Sequence, residues 1–186
     1  MDDKIINEEN LEEIKKESKK EKYIDYLKSF ATLIVTIIAV VLVKQFIVTP
    51  VEVNGSSMYP TLEDGDIMML NRVGFKLSSL DRFDIVVIDN GDSLLIKRII
   101  GLPNEKIKVE NNVLYINGEK VDEPFLDDNV LTKNFEYITS DDCYFVMGDN
   151  REVSLDSRML GCFNIKDIKG TASFTIYPFN RLGNKD

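Results

Sequence analysis

The stretch Asp84-Ile85-Val86-Val87-Ile88-Asp89-Asn90-Gly91-Asp92-Ser93-Leu94-Leu95-Ile96-Lys97-Arg98-Ile99-Ile100 decides the reading of the fold. Two runs of strand length, rich in Val, Ile and Leu, flank Asp89-Asn90-Gly91-Asp92, whose residue types close β-turns, so the segment reads as a hairpin. Short apolar runs repeat the pattern at Val51–Val53, Asp66–Leu70, Lys106–Val109, Val113–Ile116, Cys143–Met147 and Ala172–Tyr177. Asn117-Gly118 marks another tight turn. No amphipathic pattern of helix length follows Thr49, which predicts a mostly β domain over residues 49–186.

Upstream of that domain the character changes. Residues 26–48 read YLKSFATLIVTIIAVVLVKQFIV, and Phe30 to Val43 carry no charge. As a helix this stretch is about 34 Å long, against a hydrocarbon core of about 30 Å. Lys28 and Lys44 stand at snorkelling positions at its ends, which favours a membrane span over a buried core helix. No small-x-small site follows the apolar run, so it does not read as a cleaved leader. Lys4, Lys15, Lys16, Lys19, Lys20, Lys22 and Lys28 precede the span's centre, whereas the next basic residue after Lys44 is Arg72. This asymmetry predicts a cytoplasmic tail over residues 1–25 and an extracytoplasmic domain. Pairs such as Glu12 and Lys16 give the tail a solvated helical face.

A net charge of -9 argues against a nucleic-acid partner, because no basic stripe is present to neutralise phosphates. The two cysteines, Cys143 and Cys162, lack metal-site spacing and form no disulfide framework, and an oxidised or a reduced pair fits equally.

Ser57 lies nine residues beyond the apolar stretch, within Gly55-Ser56-Ser57-Met58-Tyr59-Pro60-Thr61-Leu62. The chain contains no histidine, so no Ser-His-Asp relay can activate a serine and a lysine would have to be the base. In Leu94 to Ile100, strand alternation groups Lys97 with Leu95 and Ile99, and Arg98 with Ile96 and Ile100. An unperturbed lysine is neutral about once in 2,500 molecules at pH 7, and a shift of about three units brings neutral amine within range. A desolvated base and a strand-edge lysine snorkelling to water both fit this pattern. The cluster Gly148-Asp149-Asn150-Arg151-Glu152-Val153-Ser154-Leu155-Asp156-Ser157-Arg158 follows the apolar run Cys143–Met147. It reads as either a polar network held in a loop or a solvated turn.

Together these segments resemble one family, the type I signal peptidases, which are membrane-anchored serine proteases with a Ser-Lys dyad. The resemblance is carried by Gly55–Leu62, Arg82–Val87, Ile96–Pro103, Gly148–Arg158 and Gly170–Phe174, in that order behind one anchor. It implies the coiled β-sheet catalytic domain of that family, with Ser57 as nucleophile and Lys97 as general base. Ser154 would hydrogen-bond and orient the lysine amine. Asp156 and Arg158 match a structural ion pair, and Asp149 would pair with Arg98. The backbone N–H of Ser57 would contribute to the oxyanion hole. Some members add a serine hydroxyl two positions before the nucleophile, where this chain has Gly55, so that donor is missing. Asn104 occupies a turn position usually held by glycine and tolerates φ > 0. About forty residues separate Ile100 from Cys143, which leaves room for a small β insertion at about 105–142, as in the short single-span form.

The resemblance implies removal of signal peptides from exported preproteins after a small-x-small site, at the outer face of the cell membrane. The implied partners are those signal peptides and the lipid bilayer, and the implied chemistry needs no metal or organic cofactor. A self-cleaving Ser-Lys repressor-type peptidase resembles the same fold but is soluble, which the apolar span opposes. A catalytically inactive, membrane-tethered binding protein for exported chains is opposed by the intact set of Ser57, Lys97 and Ser154.

Overall fold

The computed structural model describes residues 8–46, 48–73 and 79–185. The chain divides into two compact units, Met1–Lys44 and Gln45–Asp186. A single helix of 39 residues, α1 (Glu8–Phe46), runs through the charged tail and the apolar stretch. Neither glycine nor proline interrupts it. Within α1, Ser18–Val41 is long and apolar enough to cross a membrane. Its large side chains, Phe30, Leu33, Val35 and Ile37 among them, lie exposed, as a lipid-facing helix requires. Thr32 and Thr36 donate their hydroxyls to the carbonyls of Lys28 and Thr32 one turn back, so neither is left unpaired in an apolar setting. The span expected over 26–48 is not helical to its end. Val48 already begins a strand, consistent with the β-branched run Val48-Thr49 and the extended backbone imposed before Pro50. Lys4, part of the expected charge asymmetry, lies outside the described residues.

The second unit is mostly β. Its strands are β1 (Val48–Glu52), β2 (Ile67–Asn71), β3 (Ile85–Asp89), β4 (Leu94–Gly101), β5 (Lys106–Glu110), β6 (Val113–Ile116), β7 (Glu119–Val121), β8 (Phe135–Ile138), β9 (Cys143–Met147), β10 (Phe163–Asn164), β11 (Ile168–Tyr177) and β12 (Gly183–Asn184). An eight-stranded sheet has the order β1-β2-β11-β3-β4-β9-β10, with β12 also paired to β11. A second sheet of four strands, β7-β6-β5-β8, occupies the insertion. One short helix, α2 (Ser157–Leu160), follows the polar loop.

The β3–β4 hairpin is the centre of the large sheet. β3 and β4 pair with Asp89 opposite Leu94 and Ile85 opposite Arg98, closed by a turn in which Gly91 has φ 92°. β4 is buried on both faces from Ile96 to Gly101. Ile96 joins a core with Met58, Leu62 and Met68, Ile99 one with Val86, Val146 and Ile168, and Ile100 one with Ile107, Phe145 and Met147. Each fully buried Leu, Ile or Met stabilises the fold by about 1.5–3 kcal/mol, so this strand joins three apolar clusters and holds Lys97 and Arg98 between them.

The sequence reading missed four strands. β7 is three residues long and begins Glu-Lys; β10 and β12 are two residues each. β8, Phe-Glu-Tyr-Ile, does alternate apolar and polar residues and was open to detection. β11 is four residues longer at its start than the apolar run Ala172–Tyr177 suggested, because Ile168–Thr171 pair with β3.

Candidate active site

The loop between β1 and β2 carries Ser57, and its neighbours fix it. Met58 and Leu62 are buried in the core beneath, while the Tyr59 N–H donates to the Ser56 carbonyl at 3.1 Å and the Leu62 N–H to the Met58 carbonyl at 2.9 Å. Gly55 turns the chain with φ 88° and donates its N–H to Asp64 Oδ1 at 2.6 Å. The far end of this loop is clamped by Arg181, which binds Asp66 through Nε and Nη2, Glu63 through Nη1 and the Thr61 carbonyl through Nη2. Ser57 is therefore half-buried on a loop with little freedom.

Lys97 reaches this loop from β4. Its Nζ donates to Ser57 Oγ at 2.8 Å and to the Ile96 carbonyl at 2.8 Å. Only 3% of the residue is exposed, and burial lowers its pKa from 10.5 to about 8, against the opposing pull of the Asp156 and Asp149 charges. A cleft of about 770 Å³ opens at the pair, lined in part by Val51, Val53, Ser56, Ile96, Val153 and Leu155. Strand β9 pairs with β4 only from Arg98 onward, so Leu94–Lys97 have a strand neighbour, β3, on one side alone.

The loop after β9 supplies the acidic residues. Asp149 takes both Arg98 Nε (3.0 Å) and Nη2 (2.8 Å), and the two side chains are each 1% exposed. Arg98 also donates to the Phe83 carbonyl and stacks 4.1 Å from the Phe125 ring centre, so its buried charge is fully partnered. Asp156 is bound by Arg158 Nε and Nη2, both at 2.8 Å, and accepts the Gly148 N–H at 3.0 Å. Burial works against the Asp156 charge, but these hydrogen bonds and the Arg158 charge hold its pKa below the ordinary carboxylate value.

Ser154 departs from its expected partner. Its hydroxyl is buried near enough to Asp156 to favour that group's charged form, yet it makes no hydrogen bond of good geometry among the described residues. The bond to the Lys97 amine is not formed; that amine donates to Ser57 and Ile96 instead. Gly148 explains the crowding. A Cβ there would collide with both the Ser57 carbonyl and the Ser154 side chain, so only glycine lets the two segments approach. The Ser57 N–H, the expected oxyanion donor, has no partner among the described residues.

A family profile described as "Signal peptidase, peptidase S26" matches residues 23–177. The chain belongs to that family. Signal peptidase I S of Bacillus subtilis (strain 168) is 40% identical over 177 residues, covering 89% of this chain and 95% of the relative. Signal peptidase IB of Staphylococcus aureus (strain COL) is 37% identical, covering 85% and 93%. A solved signal peptidase I from Enterococcus faecalis V583 is 30% identical, with 50% of this chain and 97% of that one covered at a TM-score of 0.46. The protein is thus a serine endopeptidase of the signal peptidase I type with one N-terminal apolar helix.

Three features of this signal peptidase site were not settled by the sequence, which left the cysteine pair open and gave no sign of the other two. Cys143 and Cys162 form a disulfide, with Cα atoms 5.6 Å apart, that closes a loop around Gly148–Arg158. Arg151 is buried and bound to Glu123, Thr132 and the Gly148 carbonyl, which ties the polar loop to the insertion. Asn150 donates its backbone N–H to the Ser57 carbonyl and its side-chain Nδ2 to the Ser56 carbonyl, each at 3.1 Å. All three link segments far apart in sequence, and no local pattern marks them.

Proposed function

We propose that Ser57 is the nucleophile and Lys97 the general base of a membrane-anchored endopeptidase that cleaves exported preproteins after a small-x-small site such as Ala-x-Ala. The observation that carries this reading is the 2.8 Å contact between Lys97 Nζ and Ser57 Oγ, with the lysine buried and its pKa lowered to about 8. The neutral amine accepts the Ser57 proton as Oγ attacks the scissile carbonyl. The charge that develops on the carbonyl oxygen meets the Ser57 N–H. Collapse of the tetrahedral species passes the proton from Lys97 to the leaving amine and leaves an acyl-enzyme, which water hydrolyses with Lys97 again as base.

The surroundings suit an extended peptide. The edge of Leu94–Lys97 that β9 leaves free, and the apolar Val51 and Val53 across the cleft, offer backbone and small-pocket contacts to a chain laid beside them. Ser154, whose buried hydroxyl is unpaired at rest, would orient Lys97 only during the reaction, while the Asp149–Arg98 and Asp156–Arg158 pairs hold the loop in shape. On this reading residues 1–25 stay in the cytoplasm, 26–48 cross the cell membrane and 49–186 face outward. Purified protein in detergent should release from a preprotein a fragment that begins at the signal-peptide boundary, and Ser57→Ala should not. Release of that fragment by Ser57→Ala at the normal rate would overturn the assignment.

A further inference from the structure

We infer that Asn150 is a positioning residue for the oxyanion hole: its side-chain amide locks the Ser56–Ser57 peptide plane and so aims the Ser57 N–H. The inference rests on the reading of Ser57 as nucleophile and adds a residue to it.

The two carbonyls that Asn150 binds belong to the two peptide units flanking the Ser57 Cα. Its Nδ2 holds the unit before Ser57, and its own N–H holds the unit after. The Ser56–Ser57 bond is trans, so in that planar unit the C=O and N–H point in opposite directions. Fixing the Ser56 oxygen therefore fixes the direction of the Ser57 N–H. That N–H has no partner among the described residues, and it belongs to a half-buried residue lining the cleft.

The need for such a lock comes from the sequence around it. Gly55 supplies no hydroxyl, and its N–H is committed to Asp64, so the Ser57 N–H carries the oxyanion without that side-chain donor. Asn150 is itself well anchored, because its carbonyl accepts the N–H groups of Val153 (3.3 Å) and Ser154 (3.1 Å). The amide is oriented by its partner, since only the nitrogen can donate to a carbonyl and the reverse flip would oppose two oxygens. Substitution removes the side-chain bond alone. The backbone bond to Ser57 remains, so the tie between the two loops survives while the Ser56 carbonyl keeps only the Tyr59 N–H and the plane loses one of its two holds.

The test uses the full chain in detergent and a peptide spanning an Ala-x-Ala site. Asn150→Ala should lower kcat by about 10- to 100-fold with KM changed less than threefold, short of the full loss of an oxyanion donor. Affinity for a peptide aldehyde, whose adduct with Ser57 bears the oxyanion, should fall by the same factor. The midpoint of the kcat/KM pH profile should not move, because Lys97 is untouched. Asn150→Asp, nearly isosteric but presenting oxygens only, should be impaired at least as much, and both variants should keep the wild-type thermal midpoint within about two degrees. A kcat within twofold of wild type in Asn150→Ala, a loss confined to KM, or a shifted pH midpoint would overturn the inference. Ser57→Ala run in parallel separates the two readings: if it cleaves, the nucleophile assignment fails, and if it is dead while Asn150→Ala is unimpaired, only the role of Asn150 fails.

Discussion

Changing pH is the gentlest perturbation of the proposed dyad, and its magnitude follows from the burial of Lys97. With a pKa of about 8, the amine is neutral in about one molecule in a hundred at pH 6, one in ten at pH 7 and nine in ten at pH 9. If the neutral amine is the base, kcat/KM should rise about 90-fold from pH 6 to pH 9 and then level off. An ordinary lysine at 10.5 predicts about 1,000-fold over the same interval, with no plateau before pH 10. Stability does not confuse the measurement. Because the folded pKa lies below the unfolded one, the unfolded chain binds more protons between about pH 8 and 10.5, so stability rises with pH through that window. Below pH 8 the buried cation costs a constant amount, about 3 kcal/mol for the whole shift. Initial rates with a short Ala-x-Ala peptide well below KM, at constant ionic strength from pH 6 to 10, supply the profile. A flat profile, or one that still climbs tenfold per unit at pH 10, would refute Lys97 as a desolvated base.

Lys97→Arg keeps charge and length but cannot release a proton near neutrality, so it should be folded and inactive, as judged by circular dichroism and the same peptide assay. Ser56→Ala should retain substantial activity in that assay, while Ser57→Ala should have none. Asp149→Ala strands the buried Arg98 charge and should cost about 3–5 kcal/mol, read as a fall in the denaturant midpoint at unchanged slope. Reduction of Cys143–Cys162 should lower stability by about 3 kcal/mol, the loop-closure value for a ring of this size, in a denaturant titration with and without reductant.

What was legible in the sequence divides along a physical line. Local patterns carried the apolar span, the strands rich in Val and Ile and the turns at Asn90-Gly91 and Asn117-Gly118, since each depends on neighbours within a few residues. Alternation along β4 paired Lys97 with Leu95 and Ile99, but it left open whether the amine met water or another group, because that depends on a loop forty residues earlier. The same limit hid the contacts of Asn150 with Ser56, Arg181 with Asp66 and Arg151 with Glu123. The cysteines were undecided for a related reason: only the pairing of β9 with β10 brings them within bonding reach. The expected Ser154–Lys97 bond shows the reverse error. Two residues assigned to one network make no hydrogen bond to each other, and the amine turns to Ser57 and Ile96.

The placement of Lys97 beside Arg98 on one strand sets a problem of charge that the polar loop answers unequally. Two adjacent cations buried between apolar clusters would each lose hydration, and the fold gives only one of them a full partner. Arg98 receives a two-pronged carboxylate at contact distance, so it stays charged and structural. Among the described residues no carboxylate contacts Lys97. It feels Asp156 and Asp149 only through space, and Asp156 spends its oxygens on Arg158 and the Gly148 N–H. Burial therefore outweighs attraction at Lys97 and stops near 8, within reach of the pH at which a lysine can both take and return a proton. It follows that Asp156→Asn, which removes one attracting charge but keeps a hydrogen-bonding oxygen for the Gly148 N–H, should move the kcat/KM midpoint toward acid. A midpoint that stays put or moves toward alkali would mean that the Asp156 charge does not act on Lys97.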